Sequence, residues 1–352
     1  MSTKPDLKNF KHIAVIQTAF LGDVALSLYL VKKLKDEQPE TKISFVTTPS
    51  ASPLVMCLPE VDNVISYDKK GLQSGFRGIK FIAEELKERK VDCILSLHRS
   101  FRTAFLSYFT KPVYSVSFNK SALSVLYKYR IKYKPHLHEI QRDLSLLDSF
   151  DNINNHILQI PDLKIEIEDE SKEFIENKLN EIGIKQGDDI IIIAPGSIWE
   201  TKRWEENYFA ELCLLFKDKG YKTVLIGSKV DKEICSRIAI SSQSYNLAGE
   251  ASIPQTLYLM KLSKLTVTND SAPTHFAGLM NCPVVTVYGP TSPQFGFAPS
   301  GRNSRIVENE SLKCKPCSIH GSHKCPIGTH ECMKELKPEI VYMACMDVLR
   351  QS

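Results

Sequence analysis

The stretch HIAVIQTAFLGDVALSLYLVKKLKDEQPETKISFVT, residues 12–47, decides the fold of this chain. It contains a short apolar run at 12–17, an amphipathic segment at 23–37 and a second apolar run at 42–47. This order predicts a βαβ unit, in which a helix joins two parallel strands. Further apolar runs and helical segments continue the alternation at 50–57, 63–67, 75–89, 91–97 and 101–109.

A second series of the same kind begins after the polar stretch 150–170. Its apolar runs are DIIIIAP, KTVLIGS, KLTVTN and PVVTVYG at 189–195, 222–228, 264–269 and 283–289. Its helical segments are at 205–219, 229–239 and 273–280. We therefore expect an α/β protein of two consecutive domains, each a doubly wound parallel sheet, with a cleft between them.

The composition fits a folded protein and excludes several classes. With 352 residues, of which 43% are hydrophobic and 24% charged, the chain can bury a large core, which excludes disordered, collagen-like and coiled-coil proteins. The net charge of +4 is too small to indicate a nucleic-acid partner. No apolar run approaches the roughly 20 residues that span a bilayer, and the N-terminus lacks a signal-peptide core, so we expect a cytoplasmic protein.

Several nucleotide and hydrolase motifs are absent. None of the sixteen glycines are spaced as G-x-G, which argues against a nicotinamide or flavin enzyme. The P-loop pattern and the hydrolase pattern G-x-S-x-G are also missing. The chain has no D-x-D, so paired aspartates on a divalent metal beside a nucleotide diphosphate are not indicated.

The first strand-to-helix loop carries a glycine and an aspartate at the edge of the sheet where ligands bind. Gly22 permits a tight turn, and Asp23 follows at the start of the predicted helix. Asp23 is a candidate general base, and the alternative is that it only caps the helix. Capping would lower the pKa of Asp23 and burial would raise it, and the sequence leaves both open.

Two loops of the second domain suit a phosphate-bearing ligand. In PGSIWETKRW, residues 195–204, a hydroxyl, a lysine and an arginine lie beside both tryptophans of the chain, although a solvated turn anchored by tryptophan is the alternative. In NDSAPTH, residues 269–275, Pro273 suits the first helical turn, so we expect the amides of residues 274–276 to be free for an anion. Asp270 is expected to organise this loop, and His275 either donates to phosphate or packs under the helix.

Four of the ten cysteines cluster in the pattern C-x2-C-x7-C-x6-C. They are Cys314, Cys317, Cys325 and Cys332. The pattern is typical of a structural zinc knuckle, in which thiolates close a tetrahedral site, and the alternative is free thiols or a redox pair.

Residues 99–142 are also unusual, because they contain nine Lys or Arg and one acid, with aromatic residues interleaved. They predict a local basic surface, or else a solvated face over buried aromatic side chains.

Four segments together resemble the bacterial lipopolysaccharide heptosyltransferases of glycosyltransferase family 9. They are LGD at 21–23, PGSIWETKRW at 195–204, TNDSAPTHFAGLMNCPVVTVYGPTSP at 268–293 and CKPCSIHGSHKCPIGTHECM at 314–333. The resemblance covers nearly the whole chain, and the cysteine segment and the KRW turn are closer to the transferases that add the second heptose. It implies a GT-B fold of two Rossmann-like domains facing a cleft. The implied division is an acceptor-side domain at 1–160, a nucleotide-sugar-binding domain at 161–337 and a final helix at 338–352 that returns to the N-terminal domain.

The resemblance also implies the reaction. It is an inverting transfer of L-glycero-D-manno-heptose from ADP-heptose to a lipid A-core acceptor. No metal takes part in catalysis, and the one cofactor considered is a structural zinc ion. A fixed lysine and helix amides can stabilise the leaving diphosphate, which would explain the missing D-x-D. The implied location is peripheral, at the cytoplasmic face of the inner membrane, with the basic stretch 99–142 toward the phosphorylated acceptor and anionic lipid.

Individual residues take roles from the same resemblance. Asp23 matches the general base and Lys202 the phosphate-binding lysine. The implied donor-binding residues are Ser197, Thr201, Lys202, Glu233, Asp270, Ser271, Ala272, Thr274 and His275. The implied acceptor-binding residues are Gly22, Arg99 and Arg102. The family usually has glycine at the position of Ala272 and an apolar residue at the position of Thr274. This chain therefore departs from the family pattern in the donor loop.

Two other functions stay open at this stage. One is a family 9 transferase that uses another nucleotide-sugar donor in surface-glycan assembly, which competition between ADP, UDP and GDP would separate. The other is a non-catalytic, zinc-stabilised module that binds an anionic glycolipid and has no affinity for nucleotides.

Overall fold

The computed structural model describes residues 4–151, 153, 159–301 and 303–351. The chain divides into two compact units, Met1–Glu166 and Ile167–Ser352. Within the described ranges, no helix combines the length and the apolar character needed to cross a membrane.

The first unit is built on a parallel sheet of six strands in the described residues, in the order β3-β2-β1-β4-β5-β6. The strands are β1 (His12–Ile16), β2 (Lys42–Thr47), β3 (Asn63–Ser66), β4 (Cys93–Ser96), β5 (Tyr114–Phe118) and β6 (Tyr129–Ile131). The helices are α1 (Leu21–Glu37), α2 (Ser52–Val55), α3 (Gly75–Glu88), α4 (Phe101–Thr110) and α5 (Glu139–Leu144). All residues of β1 are buried, as expected for a central strand that is covered on both faces.

The second unit repeats this plan with the order β12-β11-β10-β7-β8-β9, again parallel throughout the described part. The strands are β7 (Ile190–Ala194), β8 (Lys222–Leu225), β9 (Tyr245–Asn246), β10 (Leu265–Asn269), β11 (Val284–Tyr288) and β12 (Ser304–Glu308). The helices are α6 (Asp169–Glu181), α7 (Glu206–Lys217), α8 (Lys232–Ser242), α9 (Ile253–Leu262), α10 (Ala272–Leu279), α11 (Glu331–Lys334) and α12 (Pro338–Gln351).

The last helix, α12, packs against α7, β11 and β12 of the second unit. Its buried residues Val341, Cys345 and Val348 join the apolar core of that unit, and the ring of Tyr342 lies 5.5 Å from that of Phe216. The expected return of this helix to the N-terminal domain stays a prediction.

The predicted α/β class, with two doubly wound parallel sheets, is confirmed. In each unit the chain reverses its direction of winding between two neighbouring strands, β1 and β4 in the first unit and β7 and β10 in the second. The loops that follow these strands open a crevice at the carboxyl edge of the sheet, where doubly wound proteins bind ligands. Asp23 lies in the first turn of the helix that follows β1, and Lys202 and Asp270 lie in the loops after β7 and β10.

Candidate functional site

Asp23 lies in the first turn of α1, just after β1. Phe20 is the N-cap residue, and the Asp23 carboxylate accepts hydrogen bonds from the backbone N–H groups of Phe20 and of Asp23 itself. The side chain therefore supports the start of the helix. Burial nevertheless raises the pKa of Asp23 to about 7, helped by the charge of Glu139, because these effects outweigh the backbone hydrogen bonds and Arg142. A carboxyl group that titrates near neutral pH suits a general base.

Two more carboxyl groups surround Asp23, and both come from α5, which packs against α1. Glu139 forms an ion pair with the buried Arg142 at 2.6 Å, and Arg142 Nη1 also donates to Tyr133 Oη at 2.6 Å. Asp143 is fully buried, and neither of its carboxylate oxygens has a hydrogen-bond partner in the described residues. Burial raises the pKa of Asp143 well above its ordinary value, and the nearby charges of Glu139 and Asp23 add to this. The surroundings of Asp143 therefore favour its uncharged form.

A group of cations lies at the same edge of the first sheet. Thr18, after β1, bonds through Oγ1 to Nδ1 of His98, after β4, at 2.8 Å. Lys69, after β3, donates from Nζ to the carbonyl oxygen of Thr18. Burial lowers the pKa of His98 to about 4, and the charges of Lys69, Arg99 and Arg102 lower it further, so His98 is neutral. The predicted acceptor residues Arg99 and Arg102 thus lie in one electrostatic environment with Lys69, which sequence reasoning missed.

In the second unit, Lys202 and Asp270 form an ion pair with 2.6 Å between Nζ and Oδ2. Lys202 Nζ also donates to the backbone oxygen of Asp270 at 3.3 Å. The Asp270 carboxylate has a second partner in Thr291, whose Oγ1 donates to Oδ2 at 2.7 Å. Asp270 thus holds the side chains of Lys202 and Thr291, and its role in organising the loop stays a prediction.

Asn269 connects the two donor loops at this edge. Its side-chain amide donates to the carbonyl oxygen of Pro195 at 2.8 Å, and its side-chain oxygen accepts from the backbone N–H of Trp204 at 3.0 Å. Trp204 is itself buried and donates from Nε1 to the carbonyl oxygen of Leu336 at 2.7 Å. The loop after β7 and the loop after β10 are therefore held as one structure.

The start of α10 differs from the expectation. The helix begins at Ala272, with Ser271 as N-cap and Pro273 in the first turn, and the amide of Thr274 donates to the carbonyl oxygen of Ser271 at 3.0 Å. The prediction of free amides at residues 274–276 was therefore wrong, because the helix starts earlier than the proline suggested. The donors left for an anion are the amides of Ser271 and Ala272, which precede the first intrahelical hydrogen bond.

The other proposed donor residues lie in different surroundings. Ser197 is buried beside the loop after β7, and its Oγ accepts from the amide of Trp199 at 3.3 Å. Thr274 and His275 are buried, and Thr274 Oγ1 lies 3.2 Å from Thr286 Oγ1.

Glu233 lies on the surface of α8, and its carboxylate forms an ion pair with Arg237 at 2.7 Å. Asp231 is the acid that lies against the loop after β7, since a Cβ atom on Gly196 would come within 2.5 Å of Asp231 Oδ1.

The turn with Thr201 and Lys202 packs against the cysteine segment, residues 314–333. Thr201 Oγ1 donates to the carbonyl oxygen of Ser322 at 2.8 Å, and Thr201 Oγ1 lies 2.9 Å from the amide of Ser322. His330 Nε2 lies 2.9 Å from the carbonyl oxygen of Thr201. Gly321 has a φ of +86°, and a Cβ atom there would lie 3.1 Å from the side chain of Lys202. The segment therefore supports the turn that presents Lys202.

The four clustered cysteines line one cavity together with Thr201 and His330. Burial raises the pKa of the Cys325 thiol, but hydrogen bonds from the backbone N–H groups of residues 327–330 outweigh burial and hold it below its ordinary value. Burial raises the pKa of Cys332 to about 11, and the neighbouring thiols contribute. In the part of the chain described, no three His, Cys, Asp or Glu side chains are arranged as a metal site.

Comparison with known proteins gives one consistent result. The model of glycosyltransferase family 9 (heptosyltransferase) matches residues 79–326. The lipooligosaccharide heptosyltransferase 2 of Haemophilus influenzae is 26% identical over 342 residues, which covers 94% of this chain and 96% of that protein.

Two solved structures have the same fold. The family 9 glycosyl transferase from Veillonella parvula has a TM-score of 0.88 at 22% identity and covers all of both chains. The ADP-heptose lps heptosyltransferase II of Escherichia coli has a TM-score of 0.79 at 24% identity, covering 97% of this chain and 99% of that one.

Proposed function

This chain belongs to glycosyltransferase family 9, and from that premise we propose that it transfers L-glycero-D-manno-heptose from ADP-heptose to the inner core of lipopolysaccharide. As a member of this family it is a glycosyltransferase. The observation that best supports a reaction is the carboxyl group of pKa about 7 in the first unit. In the second unit, taken by itself, Asp270 holds the side chain of Lys202 in an ion pair.

The proposed step is a direct displacement with inversion. Asp23 takes the proton of the acceptor hydroxyl, the hydroxyl oxygen bonds to the anomeric carbon of the heptose, and the bond from that carbon to the diphosphate breaks. The negative charge that develops on ADP is stabilised by Lys202 and by the amides of Ser271 and Ala272. These groups supply the positive charge that the leaving group needs, so the proposed reaction requires no metal ion.

The acceptor is proposed to bind to the first unit, beside Gly22. Lipopolysaccharide cores are anionic, and Lys69, Arg99 and Arg102 supply positive charge around His98, at the same edge of the sheet as Asp23. Because His98 is neutral, it adds a hydrogen-bonding group without adding charge. The proposed location is the cytoplasmic face of the inner membrane, where the lipid A-core acceptor is embedded.

A structural zinc ion is proposed at Cys314, Cys317, Cys325 and Cys332. The four thiols border one cavity, and the backbone N–H groups around Cys325 favour its thiolate form, which is the form that binds metal. Zinc content of the purified protein should be one per chain and should fall in Cys325→Ser. Rapid alkylation of all four thiols in the untreated protein would instead show free thiols.

Calorimetry and a transfer assay test the central proposal. Wild type should bind ADP and ADP-heptose equally well with and without EDTA, and Asp23→Asn should retain this binding while transfer is lost. Lys202→Met should lower the transfer rate by about a hundredfold or more, as expected for removal of a charge that stabilises the transition state. Unchanged turnover in Asp23→Asn would exclude Asp23 as the base, and stronger competition by UDP or GDP than by ADP would exclude ADP-heptose as the donor.

A further inference from the structure

Helix α4 carries a stripe of four aromatic side chains, of which two are exposed and two are half-buried. Phe101, Phe105, Tyr108 and Phe109 follow the spacing i, i+4, i+7, i+8, so they lie on one side of the helix. Phe101 is 62% exposed and Tyr108 is 51% exposed. The opposite side of the helix, with Ala104 and Leu106, is buried in the unit. Phe105 and Phe109 are half-buried and pack against the core of the unit, whereas Phe101 and Tyr108 extend from them into solvent.

The chain around the start of α3 extends this stripe into a continuous patch. Phe76 is 56% exposed, and its ring lies 5.1 Å from that of Phe105 and 6.5 Å from that of Phe109. Leu72, in the loop before α3, is fully exposed. We call Leu72, Phe76, Phe101, Phe105, Tyr108 and Phe109 the aromatic face. Contiguous exposed apolar patches of this kind mark interaction sites rather than ordinary surface.

The charge around the aromatic face is mainly positive. The two segments that form it, 69–83 and 99–119, contain seven Lys or Arg residues and no Asp or Glu, although the whole chain has 45 basic and 41 acidic residues. Lys80 lies over the ring of Phe109, with Nζ 5.7 Å from the ring centroid. Arg77 is exposed on the same helix. Acidic side chains begin just outside these segments, where Asp68 accepts from the amide of Leu72 at 3.0 Å and Glu84 pairs with Lys87. An apolar patch in a mainly basic surround is complementary to a surface that offers acyl chains and anionic headgroups together.

The position of the face connects it with the proposed acceptor site. α4 begins directly after the loop of His98, and the loop with Lys69 leads to Leu72 and α3. Both loops lie at the carboxyl edge of the first sheet, as Asp23 does. A bilayer in contact with the aromatic face would therefore lie beside the residues proposed to receive a lipid-linked acceptor.

We propose that the aromatic face is a docking surface for an anionic phospholipid bilayer. Aromatic side chains favour the headgroup region, and basic residues near a membrane surface each add attraction to anionic lipid. The inference rests on the proposed function only in its assumption that the acceptor is membrane-linked. The basic stretch 99–142 does not act as one surface, because Tyr127 is buried and Tyr133 stacks under Arg99 at 4.2 Å.

Co-sedimentation with vesicles tests this docking surface. Wild type should bind vesicles of phosphatidylcholine with one-third phosphatidylglycerol and should bind phosphatidylcholine alone much more weakly. The double variants Phe76→Ser/Phe101→Ser and Arg77→Gln/Lys80→Gln should lose binding, the second by about thirtyfold, since each basic residue contributes about a factor of five. The matched controls Ile240→Ser/Met343→Ser and Lys219→Gln/Lys261→Gln replace exposed residues of the second unit and should bind as wild type does.

A transfer assay separates this proposal from the proposed function. Both face variants should transfer heptose to a delipidated, water-soluble acceptor at the wild-type rate, and should be slow only when the acceptor is embedded in vesicles. Face variants that bind vesicles as wild type does would overturn the docking surface and leave the enzymatic proposal intact. A wild type that does not bind vesicles, but forms dimers that Phe76→Ser/Phe101→Ser abolishes, would show that a second copy of the chain covers the face. No transfer by wild type to the soluble acceptor would instead overturn the proposed function.

Discussion

Asp23→Asn is expected to stabilise the folded protein at alkaline pH while it removes the proposed catalytic base. The fold holds the Asp23 carboxyl in a recess that favours its uncharged form, with Glu139 as a neighbouring negative charge. Asparagine has nearly the shape of a protonated aspartate and never ionises. The variant therefore keeps the packing of the recess and avoids the cost of placing a charge there.

The expected magnitude follows from the pKa values of the two states. Burial raises the pKa of Asp23 from 3.8 to about 7, which corresponds to roughly 4 kcal/mol at 1.36 kcal/mol for each pH unit. Between these pH values the folded protein holds a proton that the unfolded chain has released, so stability falls as pH rises from about 4 to about 7. The destabilisation is complete above the folded-state pKa and absent below the unfolded-state value. Between pH 5 and pH 8 the advantage of Asp23→Asn over wild type should grow by about 2.5 kcal/mol.

Urea unfolding of both proteins at pH 5 and pH 8, followed by circular dichroism, measures this difference. The comparison of variant with wild type at each pH removes the contributions of all other titrating groups except those coupled to Asp23. Asp162→Asn, which changes an exposed aspartate of the same unit, is the matched control and should show no such growth. A stability difference between Asp23→Asn and wild type that is equal at both pH values would refute the reasoning, because it would show that the folded protein does not hold this proton.

Three further changes test the buried groups. Arg142→Met should lower the free energy of unfolding by about 3–5 kcal/mol in urea titrations at pH 7, because it leaves the Glu139 carboxylate without its buried partner; a loss below 1 kcal/mol would contradict this. Asp143→Asn should change that free energy by less than about 1 kcal/mol, because burial favours the uncharged form of Asp143 and asparagine has a similar shape. A much larger loss in Asp143→Asn would show that Asp143 is ionised in the fold. Trp204→Phe should cost about 1–3 kcal/mol in the same titration, since it leaves the buried carbonyl oxygen of Leu336 without its donor, and an unchanged midpoint would exclude this role.

The sequence predicts the strands that begin in a clear apolar run and misses β5, β6, β9 and β12, which have none. The runs at 12–17, 189–195 and 283–289 correspond to β1, β7 and β11, whose residues are all buried. β5 and β6 lie in the basic stretch 99–142, where alternating serine, tyrosine and charged residues obscure the strand signal. Their place in the sheet comes from pairing with β4 and with each other, which is a tertiary effect.

The features of the candidate site also divide into those that the sequence predicts and those that it misses. Asp23, Lys202 and Asp270 each follow a predicted strand, so their place at the carboxyl edge of a sheet could be inferred from chain order alone. The contacts that hold the turn with Lys202 could not be inferred in this way, because Thr201 and Ser322 are 121 positions apart and no local pattern connects them. The cluster of Glu139 and Asp143 around Asp23 was missed because α5 packs on α1 from the far end of the unit's sequence.

Burial sets the proton affinity of Asp23 more than any one neighbouring group does. Glu139 raises the pKa of Asp23, whereas Arg142 and the two backbone N–H groups lower it, so the neighbouring groups oppose one another and burial decides the result. This has a catalytic consequence, because a base works best when its pKa lies near the working pH. A carboxylate at its ordinary pKa would be fully ionised but a weak base toward a sugar hydroxyl. Changes that admit water to the recess should therefore slow transfer even where every charged residue is retained, and should at the same time stabilise the fold at pH 8.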